Sequence, residues 1–382
     1  MKGRKLLMIP GPIEFEPEVM LAVARATTSH VAPDFIESFG HSLEMMRQVW
    51  LAPSGQPFIM AGTGTLAMDM AGSNLVEQGD RVLVLSTGYF GERYAELLKR
   101  YGAEVTVLKA PAGDVPTLKA VEEELKKKRY RLMVFTHVDT STAVRVDPEP
   151  LGGLGHKYGV ITVLDGVCSV AGEVIRQDDW MIDVVLTASQ KAVGVPPGLA
   201  LMVVSERAME RWRTRKSPVG SYYCDWHNWL NVMRAYEERR PAYFGTPAVN
   251  LVCGLEVSLD LILKEGMEAR FRRHQQAGQS FREAMRGLGL RMIPVSEEVS
   301  ASTLSAPYYP EGVKGSDFMR AIASSDVILA GGLLPEIKDK YFRVGHMGSV
   351  TRGDLLTTVS AISEALAGCG YMKENPHPIT AG

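Results

Sequence analysis

The sequence predicts an α/β protein, with a mainly parallel sheet in a large domain and a smaller α+β domain at the C-terminal end. Two observations carry this. From Pro57 onward, short apolar β-branched runs alternate with helix-period segments, and glycine, serine or threonine turns follow the strand-like runs. After Val204 the alternation stops, and long helix-period segments give way to isolated strand-like pieces. A chain of 382 residues with 46% hydrophobic content can bury a core of this size. The pattern divides it into an N-terminal segment (1–18), a large domain (19–262) and a small C-terminal domain (263–382).

Ile9-Pro10-Gly11-Pro12 reads as extended or turn-like, because each proline fixes its own φ and restrains its predecessor. Helices are predicted over 17–26 and 35–51, the second from Phe39, Leu43, Met46 and Trp50 at helical spacing. Strands follow at 58–60, 81–85, 104–108, 131–136, 160–165 and 182–187, with helices at 66–76, 92–101, 117–129 and 150–158 between them. A last strand over 199–204 follows the loop forced by Pro196, Pro197 and Gly198. Residues 207–217 read only as basic, and 222–229 only as crowded with aromatics. Helices are predicted again at 248–264, 266–288, 316–324 and 352–367, and strand-like pieces at 300–304, 327–330 and 341–344.

Charge is balanced, with 42 Lys+Arg against 44 Asp+Glu, a formal net charge of −2. Without a basic excess there is no electrostatic footprint for nucleic acid or an anionic membrane, so a small-molecule partner is expected. Cys168, Cys224, Cys253 and Cys369 are scattered, with neither disulfide nor zinc spacing, as in a reduced cytoplasmic protein; no metal site is expected. The first apolar run stops at Pro10, too early for a signal peptide, and no run approaches the length of a membrane span.

In sheets of this kind ligands sit beyond the carboxyl ends of the strands, and unusual groups collect there. Lys191 stands on a Ser189-Gln190-Lys191 loop between two apolar runs, flanked by Ala188, Ala192 and Gly194, which leave room for a bulky ligand. Burial and nearby positive charge lower a lysine's pKa and free its amine to form a Schiff base; the alternative is a loop lysine on a carbonyl or in solvent. Gly62-Thr63-Gly64-Thr65 opens a helix after a strand, so N–H groups, hydroxyls and a helix dipole converge where a phosphate could dock. A plain glycine turn would look the same. The next strand ends at Leu85-Ser86 without the acidic ribose-binding residue of dinucleotide sites, which counts against NAD. Asp165 ends an apolar strand, where a carboxylate is costly unless paired, as with a protonated ring nitrogen; a turn aspartate before Gly166 is the alternative. Thr140 lies in a hydroxyl-rich loop, Phe90 offers an aromatic face or core packing, and Arg343 is either a carboxylate clamp or a structural ion pair.

In this order along the chain, from Pro10-Gly11-Pro12 to Arg343-Val344-Gly345, these groups resemble the pyridoxal-phosphate aminotransferases of fold type I. More narrowly the chain is similar to class V, the serine–pyruvate/alanine–glyoxylate aminotransferase family, and Ser189-Gln190-Lys191-Ala192 with Pro196-Pro197-Gly198 is the most specific part. The resemblance implies that Lys191 forms the Schiff base with pyridoxal 5′-phosphate and that Asp165 pairs with its ring nitrogen. It places Gln190 and Thr63, Gly64 and Thr65 at the phosphate, Thr140 near the phenolic oxygen and Phe90 on the ring. Tyr243 and Thr246 match positions that reach the phosphate from a neighbouring subunit, which implies a homodimer, and Arg343 would grip the substrate carboxylate.

The sequence departs from the family at Phe90, Thr65, Ala143 and Gly166, where relatives often carry Trp, His, Gly and Ser, and this bears on substrate preference. The implied reaction moves an amino group from alanine or serine to glyoxylate or pyruvate by a ping-pong route. The rivals are another fold type I enzyme (a lyase, decarboxylase or desulfurase), an NAD-dependent dehydrogenase and a non-catalytic binding protein. For the desulfurase, no cysteine is obviously placed on a mobile loop.

Overall fold

The computed structural model describes residues 5–371, so residues 1–4 and 372–382, the outer ends of the 1–18 and 263–382 segments, lie outside the described residues. Seven strands form the central sheet, in the spatial order Gln56–Ala61, Leu199–Val204, Val184–Ala188, Ile161–Asp165, Leu132–Thr136, Arg81–Ser86, Glu104–Lys109. The four from Leu199–Val204 to Leu132–Thr136 are buried at every residue, as strands covered on both faces must be. Their unbroken apolar runs are the local cause.

All adjacent pairs are parallel except the two made by Leu199–Val204, which runs antiparallel to both neighbours. The reason is the short link from Ser189 to Gly198, which carries no helix and is shorter than a crossover to a parallel strand requires. The other six strands therefore end on one edge, where the chain leaves the sheet at Gly62, Thr87, Ala110, His137, Gly166 and Ser189.

The helices Gly64–Leu75, Tyr89–Arg100, Leu118–Lys127 and Pro148–Lys157 follow their strands as the alternation predicts. The basic and aromatic stretches also fold into helices, Glu206–Arg213 and Trp226–Glu237. The Ser205 hydroxyl caps the first at Ala208 N (3.1 Å), and the Asp225 carboxylate caps the second at His227 N (2.9 Å). In the second, Trp226, Trp229, Leu230, Met233 and Tyr236 are buried at helical spacing, a period hidden by the polar residues between them.

The C-terminal part builds a small antiparallel sheet in the order Leu304–Ser305, Phe342–Gly345, Ala330–Gly331. The strand expected at 300–304 is reduced to Leu304–Ser305. The piece expected at 327–330 divides, because Val327–Ile328 pairs in parallel with Leu6–Leu7 at the start of the chain. Met267–Gly287, Gly315–Ser324 and Arg352–Gly368 pack here, the last entered through a Thr351/Asp354 capping box. One apolar core runs from Val19 to Phe271 around the large sheet; a second gathers Met8, Phe281, Phe318, Phe342 and Ile362. A third, with Ile13, Cys168, Ala192, Leu304 and Tyr341, brings residues from both parts of the chain together beside Lys191. Among the described residues no helix is long and apolar enough to cross a membrane.

Candidate active site

Ser189 closes the turn that carries Lys191: its hydroxyl donates to Pro196 O (2.8 Å) and accepts from Leu199 N (3.1 Å). The Lys191 side chain points inward and the residue is 8% exposed. Its ammonium donates to the carbonyl of Pro10, so the contact with a carbonyl is real, but it is buried. Burial first, and the nearby Arg343 charge second, hold this amine below the ordinary lysine range, which favours the neutral nucleophile. Gly11 makes the close approach possible. Its φ is +111°, and a Cβ there would stand 2.5 Å from Lys191 Cδ. The Pro-Gly-Pro spelling marked a bend; that it lies against Lys191 is a tertiary fact.

Asp165 ends its strand 2% exposed. One carboxylate oxygen accepts from Val167 N (3.1 Å) and the other from Thr136 Oγ1 at a long 3.4 Å, and no cation pairs with it among the described residues. Burial, reinforced by the charge of Asp139, pushes its pKa up to about 6, while Lys191 pulls the other way. The turn-aspartate alternative is met only by the Val167 bond and leaves most of the carboxylate's acceptor capacity open.

Gly64 brings the third group in. A Cβ on it would stand 2.7 Å from Val167 Cγ2 and 3.5 Å from Ala188 Cβ, so this helix starts directly on the strand ends that carry Asp165 and Lys191. Thr63 is extended and its hydroxyl does not cap the helix. The first N–H groups of Gly64–Leu75 are thus free for an anion. Thr65 Oγ1 accepts from the Arg93 guanidinium at 2.6 Å. The Gln190 side-chain amide makes no hydrogen bond to the chain among the described residues, and its oxygen is buried.

Phe90 is positioned by Asp139, which stands beside Thr140 in the hydroxyl-rich loop. The buried Asp139 carboxylate accepts from Phe90 N (3.0 Å), Gly91 N (3.4 Å), Ser141 N (2.9 Å) and Ser141 Oγ (2.5 Å). It therefore caps the helix Tyr89–Arg100 from a different loop. Ser141 is fixed in turn by Tyr341, whose hydroxyl donates to Ser141 O (2.5 Å) and accepts from Leu333 N and Leu334 N (2.8 Å each). Two residues on, Arg343 donates to Gly331 O (2.8 Å) and to Thr140 O (3.1 Å). It has no carboxylate partner among the described residues, so the structural ion pair is not what holds it. Burial lowers its pKa, as expected of a cation waiting for an anion.

The structure thus gathers Thr63, Gly64, Thr65, Phe90, Thr140, Asp165, Gln190, Lys191 and Arg343 around one edge of the sheet. Tyr243 and Thr246 are not joined to them: both lie on an exposed loop with no hydrogen bond to the Lys191 turn or to Thr63–Thr65 among the described residues. Tyr243 is 65% exposed, its ring tilted against His30 at 5.1 Å. Cys168 lies nearer the site than its position in the chain suggests, since its thiol feels the Lys191 charge. It is 1% exposed and burial pushes its pKa up, the opposite of a reactive thiolate.

This donor set fits pyridoxal 5′-phosphate. A buried amine held below the ordinary lysine range suits an aldehyde; among the described residues, a buried carboxylate without a cation suits a ring N–H, and an uncapped helix end and an unpartnered buried amide oxygen suit a phosphate site.

Comparison with known proteins agrees. Residues 18–335 match the family described as aminotransferase class-V. The chain is 36% identical over 361 residues to alanine–glyoxylate aminotransferase 1 of Saccharomyces cerevisiae, covering 91% of this chain and 93% of that one. It is 34% identical over 369 residues to an uncharacterized aminotransferase of Methanocaldococcus jannaschii, covering 96% and 94%. The solved alanine–glyoxylate aminotransferase of Nostoc sp. superposes with a TM-score of 0.89 at 31% identity, covering 96% of each chain. Coverage of this extent, on a chain that sets a buried lysine and a buried carboxylate at one sheet edge, makes it a member of the class V aminotransferases, which depend on pyridoxal 5′-phosphate.

Proposed function

We propose that this aminotransferase takes its amino group from alanine or serine and delivers it to glyoxylate or pyruvate by a ping-pong route. Relatives named as alanine–glyoxylate aminotransferases support that substrate class. The observation that carries the chemistry is Lys191, an amine buried within electrostatic reach of both Asp165 and Arg343.

Pyridoxal 5′-phosphate, when bound, supplies a carbon that takes up the substrate nitrogen and a ring that accepts the electron pair left when the α C–H bond breaks. Arg343 holds the substrate carboxylate; its two bonds to backbone carbonyls fix the guanidinium plane and leave donors free. Lys191, its amine held below the ordinary lysine range by burial, would take the proton from the substrate α-carbon and return it on the far side of the nitrogen, two bonds away, as general base and then general acid. Asp165 accepts the ring N–H and, as a carboxylate, keeps that nitrogen protonated. Phe90 would stack on the ring, Thr140 would bond its phenolic oxygen, and Gln190 with Thr63, Gly64 and Thr65 would hold the phosphate.

In the same reading Tyr243 and Thr246 complete the phosphate site of a second copy, so the working unit is a homodimer. The exposed Tyr243, beside a Phe244 ring that meets the 81%-exposed Tyr222 at 5.4 Å, supports this. We assign the chain to the cytoplasm, and divide it at 18 and 262 into the N-terminal segment, cofactor-binding domain and small domain.

The test is the holoenzyme with alanine against glyoxylate, and with serine and aspartate each against glyoxylate and pyruvate. Parallel double-reciprocal lines and 2-oxo acid formed from alanine or serine are expected. If neither donor yields its 2-oxo acid while aspartate does, the substrate assignment fails.

A further inference from the structure

The proposed chemistry leaves Arg93 unused. It is half-buried, at the fifth position of the helix Tyr89–Arg100, and its guanidinium donates to Thr65 Oγ1 at 2.6 Å. No carboxylate lies within ion-pair distance of it among the described residues. The position is electrostatically awkward. Thr65 is the second residue of Gly64–Leu75, so the guanidinium, on a helix whose own positive end the Asp139 carboxylate already caps, bonds into the positive end of a second helix. A cation is normally unfavourable there, and the neutral Thr65 hydroxyl does nothing to offset it.

We propose that Arg93 is a positioning residue for the cofactor phosphate, setting the Thr65 side of the turn and adding a full positive charge where the helix supplies only a partial one. This rests on the reading of Thr63–Thr65 as the phosphate turn. A dianion docked at the free N–H groups of Gly64–Leu75 turns the unfavourable cluster into a favourable one. Among the described residues the site thus holds two guanidinium groups without a carboxylate partner, Arg343 for the substrate carboxylate and Arg93 for the phosphate.

The experiment measures the dissociation constants of pyridoxal 5′-phosphate and of pyridoxal, which lacks the phosphate, for the full-length apoprotein and for Arg93→Gln, Arg93→Lys and Thr63→Ala. Arg93→Gln keeps an N–H donor for Thr65 and removes the charge. It is expected to weaken the phosphorylated ligand roughly 10- to 100-fold and pyridoxal hardly at all. Phosphorus NMR of the bound phosphate should show a shift toward the monoanion in Arg93→Gln, and Arg93→Lys should recover most of the loss. The melting temperature of apo Arg93→Gln should equal or exceed that of the unaltered apoprotein, whereas removal of a merely structural cross-link would lower it. Equal losses for both ligands, or no loss for either, overturn the role of Arg93. If Thr63→Ala also leaves the ratio of the two constants unchanged, the phosphate turn itself is misplaced; if Thr63→Ala moves the ratio and Arg93→Gln does not, only the role of Arg93 fails.

Discussion

Asp165 and Asp183 lie at opposite ends of neighbouring parallel strands, each 2% exposed, yet their surroundings differ in kind. Asp183, at the amino end, accepts from Thr162 N (2.8 Å), Thr162 Oγ1 (3.1 Å), Ser205 Oγ (2.9 Å) and Arg207 Nε (2.8 Å). Every lone pair is answered from within the chain. Asp165, at the carboxyl end, has one ordinary bond, one long one and no cation. A buried charge whose partners are all internal holds the fold, whereas one left short of partners is held by the fold for something else. The Arg207 and Arg343 guanidiniums repeat the contrast, one paired with Asp183 and the other bonded only to carbonyls.

The hardest test of this division is Lys191→Ala. Turnover should fall by roughly 10⁴-fold or more, together with the visible absorbance of the bound cofactor, in a protein that melts normally. Full transaminase activity in that variant would end the assignment. Next, Asp165→Asn should cost about 10²- to 10⁴-fold in kcat while leaving the apoprotein folded. Asp183→Asn should do the reverse, costing about 3 kcal/mol in denaturant unfolding, at the low end for a broken buried pair because Arg207 can reach water, with kcat kept at permissive temperature. If the two variants behaved alike, the contrast between the aspartates would be empty.

The pH dependence of the apoprotein sharpens the same point. Asp165 has a folded pKa of about 6 against a reference of 3.8, so between these values the folded state binds more protons than the unfolded one. Its stabilising contribution is complete below the reference value and is lost as pH rises through about 6. Relative to the unaltered chain, apo Asp165→Asn should gain stability over that window and level off above it, on the order of 3 kcal/mol, read by urea unfolding at pH 4 to 8. The smallest effect is expected from Arg343→Gln, which should raise KM for the amino donor roughly 10- to 100-fold and change kcat less. A change confined to kcat would place Arg343 away from the carboxylate.

Much of this was legible beforehand where local chemistry settles the answer. The apolar runs expected as strands at 160–165 and 182–187 are buried strands, and the glycine turn at Gly62 to Thr65 does open a helix. The helix Trp226–Glu237 was missed because its buried face is made of aromatics spread among polar residues, which read as a cluster rather than a period. The role of Asp139 was hidden for another reason. Its partners Phe90 and Gly91 stand 49 and 48 residues earlier, so nothing near it in the chain shows that it caps a helix.

Sequence alone determined the alternation of strand and helix and the identities of the reactive groups, because hydrophobic period and turn chemistry act over a few neighbouring residues. It also determined the antiparallel return of Leu199–Val204, through a link too short for a crossover. Only the tertiary structure decided which groups meet: that Pro10 and Gly11 close over Lys191, that Gly64 sets a helix end against Val167 and Ala188, and that Arg343 finds carbonyls and no carboxylate. Those contacts join residues far apart in the chain, and burial, which shifts the Lys191 and Asp165 pKa values, exists only once the sheet and all three cores have closed around them.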